Sequence, residues 1–216
     1  MCIISFYKQN DEIVLTHNRD EAIDRVASLE VETREWNGKK FSAPIDQKKN
    51  GTWIFYSEEF IACILNGGKV KPMNLKSTYR KSRGIVLLEL MNYDSVKEYA
   101  ENENLKDIAP FTIFVFERKS TKIYLLFWDG ISLEMNDLSS DSFVFRASST
   151  LYSEINMRDI EKKFCTFNIT SPEALFEIHQ TIKIKDGDVE SGKATTSITQ
   201  IFANSSEISM KYCPFF

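Results

Sequence analysis

The order of strand and helix signals in this chain predicts an α+β fold built on antiparallel sheets. Three observations carry that expectation. Short strand-like runs separated by polar turns recur in hairpin order. Helical periodicity is confined to two places, each holding a pair of helices between groups of strands, and does not alternate with every strand as in βαβ units. Several runs are apolar on consecutive residues, FIACIL at 60–65 and IYLLFW at 123–128, as expected where both faces of a strand are buried. Two sheets stacked face to face with helices outside satisfy all three.

The elements follow in order. Residues 2–7 (CIISFY) read as a strand, Lys8-Gln9-Asn10-Asp11 as a turn, and 13–17 as the returning strand. After a loop rich in charge come strands at 51–56 (GTWIFY) and 60–65, the latter ending at Asn66-Gly67-Gly68. Ser82 is placed to cap a helix reaching Met91, and Asp94 or Ser95 to cap a second one reaching Asn102. Strands at 111–117 and 122–128 turn at Lys119-Ser120-Thr121, and 142–146 supplies another. Helical periodicity returns at 154–164 and 172–182, the second with Ser171 as cap and Pro172 at its first position, where a missing N–H costs nothing. Strands at 195–202 and 207–212 close a count of about nine or ten strands and four helices.

Composition narrows the function. The 216 residues are 43% hydrophobic and 27% charged, with no repeats or linker-like tracts, which predicts one domain over 1–216. The net charge is −4, and basic residues such as Lys39-Lys40, Lys48-Lys49 and Lys162-Lys163 are scattered, without a stripe of the kind nucleic acid or an anionic membrane would require. That argues against nucleic acid as a partner and leaves a small-molecule substrate or ligand. No apolar stretch is long enough to span a bilayer, and no export signal precedes the first strand. Cytoplasm is the expected location, and oligomeric state is left open. The four cysteines, Cys2, Cys63, Cys165 and Cys213, follow no metal-ligand spacing, and there are two histidines. No metal or other cofactor is therefore expected, and Cys63 and Cys165 read as core thiols.

Cys2 differs by its position. If the first turn centres near Asn10, residues paired across the hairpin have numbers summing to about 20. Cys2 then lies opposite Asn18, with Arg19 and Asp20 close by. Methionine aminopeptidase removes Met1 efficiently before a small residue, leaving Cys2 with a free α-amine. That amine can serve as base for its own thiol. Arg19 would favour the thiolate, and Asp20 would orient the amine or the arginine. Asn66, before Gly67-Gly68, is the candidate donor to a developing oxyanion. Taken singly, these features have plainer readings: a core thiol, a strand-end turn with a surface ion pair, and a tight turn.

The motifs MCII, HNRDEAIDR, NGTWIFY, CILNGG and SRGIVLLEL, in this order and spacing, resemble the Asn-Arg-Asp-Glu (NRDE) family, also called the Transport-and-Golgi-organisation family. WDG and SSTLYS look most like its compact bacterial members. The resemblance covers Met1 to about Tyr152 and continues more weakly through KATTSITQIF. It implies an N-terminal nucleophile (Ntn) hydrolase fold, a four-layer αββα sandwich of two antiparallel sheets between helix pairs. The chain is also similar to the cysteine-type amidases of that fold, the bile salt and penicillin V acylases, which begin Met-Cys and carry Arg and Asp after the first hairpin. By position this implies Cys2 as nucleophile, Arg19 as the arginine flanking the thiol, Asp20 as the carboxylate near the amine and Asn66 as oxyanion-hole asparagine. Asn18, Glu21, Gly67 and Gly68 are the implied substrate contacts. The sequence departs from the pattern in three places. Asn18-Arg19-Asp20 replaces the acylases' Arg-Asn-x-Asp, Ser148-Ser149 stands where relatives often have Ser-Asn, and Lys193 is the nearest counterpart of the acylases' later arginine.

The expected function is hydrolysis of a linear amide or N-acyl bond by an N-terminal cysteine after removal of Met1. The alternative is a non-catalytic carrier of haem or of an acyl or lipid ligand on the same fold, because eukaryotic relatives are associated with haem handling and lipid balance.

Overall fold

A computed structural model describes residues 2–166, 171–185 and 192–216. Met1 and the side chain of Cys165, both part of the expectations above, lie outside the described residues. The fold is α+β, with two antiparallel sheets and four α-helices among the described residues.

The chain opens with β1 (Cys2–Gln9) and β2 (Glu12–Ala22), followed by β3 (Glu32–Trp36), β4 (Lys39–Ala43), β5 (Ile54–Ser57) and β6 (Phe60–Asn66). Helix α1 (Arg83–Leu88) runs into a 3₁₀ turn (Glu89–Asn92), and α2 (Val96–Asn102) follows. Next come β7 (Phe111–Glu117), β8 (Lys122–Trp128), β9 (Leu133–Asp137) and β10 (Phe143–Ala147). The last elements are α3 (Glu154–Thr166), α4 (Pro172–Thr181), β11 (Lys193–Ala203) and β12 (Ile208–Pro214).

By its contacts the chain forms two compact units. The first combines the chain up to Arg25 with Asp141–Phe216, and the second is Val26–Ser140. The first unit carries a five-stranded sheet in the order β10-β1-β2-β11-β12. Its core joins Ile3 and Val14 of the sheet to Phe164, Leu175, Ile178 and Ile182 of α3, α4 and the residue capping α4. The second unit carries a seven-stranded meander in the order β3-β4-β5-β6-β7-β8-β9. Every residue from Phe60 to Leu65 and from Ile123 to Trp128 is buried, as the unbroken apolar runs predict. The helix signals also hold. Ser82, Ser95 and Ser171 each accept a backbone N–H of the first turn, and Pro172 opens α4.

Four expectations need correction. Strands β3, β4 and β9 occupy stretches that hydropathy leaves as loops, because β3 and β9 are sheet edges with mostly polar, half-exposed side chains. The signal that marks the first pair is Asn37-Gly38, whose φ values of 48° and 82° form a two-residue hairpin turn. The 82–91 helix breaks after Leu88 into the 3₁₀ turn. Strand β2 runs on to Ala22, so Asn18-Arg19-Asp20-Glu21 is strand body, not the turn after it. Finally, the first hairpin pairs residues whose numbers sum to 21: Gln9 faces Glu12 across an Asn10-Asp11 turn, and Cys2 faces Arg19 instead of Asn18. Asn10 takes a φ of 56°, which asparagine tolerates better than most residues.

Two of the sequence motifs meet inside the second unit. A Cβ built on Gly51 (of NGTW) would sit 2.6 Å from the carbonyl carbon of Gly84 (of SRGIV), and one on Gly84 would sit 2.7 Å from the Thr52 oxygen. Both neighbours are backbone, so neither can step aside as a side-chain tip would. Gly51→Ala is accordingly expected to destabilise the protein by about 1–3 kcal/mol, the usual range for overpacking. Urea unfolding of the variant against wild type measures it.

Candidate functional site

The site is built on the ends of β1 and β2 in the first unit. Directly paired residues of an antiparallel ladder project from the same face, with Cβ atoms about 5 Å apart. Cys2 and Arg19 are such a pair. Both are buried, Cys2 to 4% exposure. Arg19 sends Nη1 to the Arg25 carbonyl and to Thr196 Oγ1, each at 3.1 Å. Burial pushes the Cys2 thiol above its ordinary pKa and the Asp20 charge adds to that, while a hydrogen bond from the Asp20 backbone N–H pulls the other way. The net direction is up, so the thiol in this structure is protonated at neutral pH.

Asp20 is fully buried and gripped on both oxygens. The Tyr152 hydroxyl donates to Oδ2 and the Thr195 hydroxyl to Oδ1, each at 2.7 Å. Burial still outweighs these bonds and raises Asp20 from 3.8 to about 6. Burial, then the Asp20 charge, raises Tyr152 further out of the titrating range, so it remains a donor. Glu21 behaves oppositely. Burial opposes its ionisation, but nearby positive charge, including the Lys193 ammonium 2.9 Å from Oε1, and the Ala22 N–H hold it at about 2. Arg25 completes that cluster at 3.2 Å from Oε2.

Strand alternation sends Asn18 to the face opposite Cys2 and Arg19. There its amide is matched to His179 of α4. Asn18 Oδ1 accepts the Nδ1 proton at 2.7 Å, and Nδ2 donates to the His179 carbonyl at 3.0 Å. With the proton on Nδ1, Nε2 accepts the Ser5 hydroxyl at 2.7 Å. Burial lowers His179 to about 3, so the ring is neutral. Gln200 holds the other end of the helix, donating to Thr16 Oγ1 and to the Pro172 carbonyl. Helix α4 is thus tied to the sheet at both ends by side-chain amides that read its backbone.

The structure brings Cys2, Asn18, Arg19, Asp20 and Glu21 together on one hairpin. Asn66, Gly67 and Gly68 belong to the second unit. Asn66 ends β6, Gly67 takes a φ of 87° and donates its N–H to the Pro110 carbonyl, and a Cβ on Gly68 would lie 2.9 Å from the Trp128 oxygen. Those two glycines meet a backbone requirement of their own unit. Sequence reasoning missed Tyr152, Thr195 and Thr196 as partners of Asp20 and Arg19; Lys193, named there as the nearest counterpart of the acylases' later arginine, is paired with Glu21. The motifs SSTLYS and KATTSITQIF contain all four. What could not be read from them is a register shift between Thr195 and Ser197, where β11 bulges against β2. Around this shift Thr195 lies opposite Asp20 and holds it, Ser197 lies opposite Arg19, and Thr196 between them both accepts from and donates to Arg19. Among the described residues, no group of three His, Cys, Asp or Glu side chains is placed to hold a metal ion, and no helix is long and apolar enough to cross a membrane.

The fold is thus α+β, with a buried cysteine heading the first strand of one antiparallel sheet, paired with an arginine and followed along β2 by a doubly bonded aspartate. The sequence model of one family, Transport and Golgi organisation 2, matches residues 1–202, and the chain belongs to that family. No curated protein matches the sequence.

Two measurements check this geometry. Folded Asp20 keeps its proton up to about pH 6, and unfolded it loses it near 3.8, so the folded state binds more protons between those values. The stability Asp20 contributes is complete below pH 3.8 and is lost as the pH rises through about 6, roughly 3 kcal/mol in all. In Asp20→Asn that decline is absent, so the stability difference from wild type, taken by urea unfolding at a series of pH values, should move in the variant's favour across the window. Asn18→Leu leaves the His179 Nδ1 proton and carbonyl without their partner and is expected to cost about 2–4 kcal/mol by the same assay, from two unmade buried hydrogen bonds.

Proposed function

We propose that the mature protein is an N-terminal-cysteine amidohydrolase that cleaves a linear amide or N-acyl bond. The observation that carries this reading is the direct pairing of Cys2 with Arg19 next to the buried Asp20. Removal of Met1 puts an α-amine on the residue that bears the thiol. A thiol held protonated by burial needs a base, and this amine is the nearest group of suitable pKa. The amine takes the thiol proton, and the thiolate adds to the substrate carbonyl. The tetrahedral intermediate then expels the amine product, which receives that proton. Water next cleaves the thioester, releasing the acid and restoring the thiol. Arg19 stabilises the thiolate through its fixed positive charge, and Asp20, held by Tyr152 and Thr195, accepts a hydrogen bond from the ammonium form. The αββα layering of the Ntn hydrolases in a single 1–216 domain, Asn66 as the oxyanion donor, and Asn18, Glu21, Gly67 and Gly68 as substrate contacts belong to the same proposal and rest on the resemblance. A cytoplasmic setting suits a free catalytic thiol.

A second reading, a carrier of haem or of an acyl or lipid ligand, draws support from the same raised thiol pKa. A neutral, buried cysteine is a good wall for an apolar ligand and a poor nucleophile until a base is supplied. Haem titration of wild type and Cys2→Ala separates the two: a carrier that uses Cys2 shows a spectral change that the variant loses.

For the hydrolase, intact mass should show the loss of Met1, and one equivalent of a thiol alkylator should enter Cys2 ahead of Cys213. A panel of N-acyl amino acids and simple amides should give turnover that Cys2→Ala abolishes. Full retention of Met1, or turnover that survives Cys2→Ala, would rule the reading out.

A further inference from the structure

The connection between β6 and α1 is unlike the rest of the chain in charge and in surface chemistry. Residues 60–88 contain six of the 27 basic residues, Lys69, Lys71, Lys76, Arg80, Lys81 and Arg83, and none of the 31 acidic ones. The expectation of scattered basic residues fails here. Residues 67–82 form no helix or strand, and along Lys69-Val70-Lys71-Pro72-Met73-Asn74-Leu75-Lys76 the apolar and cationic residues interleave. The apolar ones point outward: Val70 is 69% exposed, Met73 95% and Leu75 53%.

This is a held loop. The Arg80 N–H reaches the Asp107 carbonyl at 3.0 Å and its Nε reaches the Lys106 carbonyl at 3.1 Å. Arg83 donates to the Pro110 carbonyl, Lys81 pairs with Glu89, and the Lys76 N–H meets the Tyr79 hydroxyl at 2.9 Å. At the flanks Lys69 pairs with Glu134 at 2.9 Å and Lys76 with Asp107 at 2.5 Å. These bonds hold both ends of the segment and leave Val70, Met73 and Leu75 projecting between them.

Three projecting apolar side chains on an anchored loop are a cost unless something covers them. The surrounding charge says what does. An anionic lipid surface takes separate apolar side chains without a shaped pocket, and it attracts every lysine within a Debye length. Lys69 and Lys76 can join Lys71 in that contact, since their present pairs are exposed, 63% against 48% for Lys69–Glu134 and 64% against 41% for Lys76–Asp107. Pairs that open hold little, and trading a carboxylate for a phosphate is nearly free. Long lysine stems beside inserted apolar groups keep their ammonium at headgroup level.

We propose that the loop between β6 and α1 is a membrane-docking surface, seating Val70, Met73 and Leu75 among the acyl chains of an anionic bilayer and its lysines against the lipid phosphates. The loop docks the protein on one leaflet and requires no spanning segment. It is independent of what Cys2 does.

Vesicle flotation of the full chain tests it, with phosphatidylcholine alone and with phosphatidylserine added. The protein should float with the phosphatidylserine vesicles only, and added salt should release it. Each lysine removed near the surface should weaken binding about fivefold, so Lys71→Glu should weaken it by at least that much, and Met73→Ser should weaken it at unchanged charge. Both positions are exposed, and an unchanged thermal transition confirms that each variant folds. In Met73→Trp, the indole emission should shift to the blue with phosphatidylserine vesicles. Equal flotation with both vesicle types, no flotation, or binding indifferent to both Lys71→Glu and Met73→Ser would overturn the proposal. So would an indole emission that stays at its aqueous wavelength on bound vesicles, which would point to a protein or soluble anion as the loop's partner.

Discussion

The register of the first hairpin governs everything at the candidate site. A two-residue turn with Asn10 in the left-handed region sets Cys2 against Arg19. Because side chains alternate along a strand, this choice also decides the fate of the next residues. Arg19 shares the face of Cys2, while Asn18 turns to α4. A slip of one residue would exchange these assignments, putting an amide beside the thiol and a guanidinium against the neutral His179. The slip is opposed by burial on both faces: Cys2, Ile3 and Ile4 are all buried, as are Asn18, Arg19 and Asp20. No neighbouring register offers each of them a matching environment.

The second constraint is polar and follows from the first. Burying an amide, a carboxylate, a guanidinium and an imidazole within one sheet is tolerable only if their atoms find partners. Asn18 spends both amide atoms on His179, and Asp20 spends both oxygens on hydroxyls. At the β-bulge between Thr195 and Ser197, Thr195 lies opposite Asp20 and Ser197 opposite Arg19, and the intervening Thr196 bonds Arg19 as well. Stability and chemistry are therefore joined here: the bonds that make burial affordable also hold the charged groups beside Cys2 in single orientations.

The two units show different ways of using polarity. In the first, polar side chains lie inside, and Asn18, Asp20, His179 and Gln200 are paired there. In the second, β6 to β8 are apolar on consecutive residues, and the distinctive charge lies outside on the loop that follows β6. The glycines of two motifs, Gly51 and Gly84, answer a close approach of two backbones. Their presence in the motifs speaks for packing, in contrast to Cys2 and Arg19.

The sequence by itself determined the kinds of element and much of their order. Apolar runs, serine caps and Pro172 act within a few residues, so the core strands and the helix starts were legible, as was the nearness of Cys2 to the Asn18-Arg19-Asp20-Glu21 run. The motifs carried the family. The polar edge strands β3 and β9, and β4 beside β3, escaped because their pairing satisfies the backbone without a hydrophobic pattern to announce it. Only the tertiary structure decided which of the four polar residues faces the thiol, that Tyr152, Thr195 and Thr196 support them, and that Asn18 binds a helix 161 residues away. Those outcomes depend on a one-residue register, a single bulge and contacts between distant segments, and no local pattern of residues encodes any of the three.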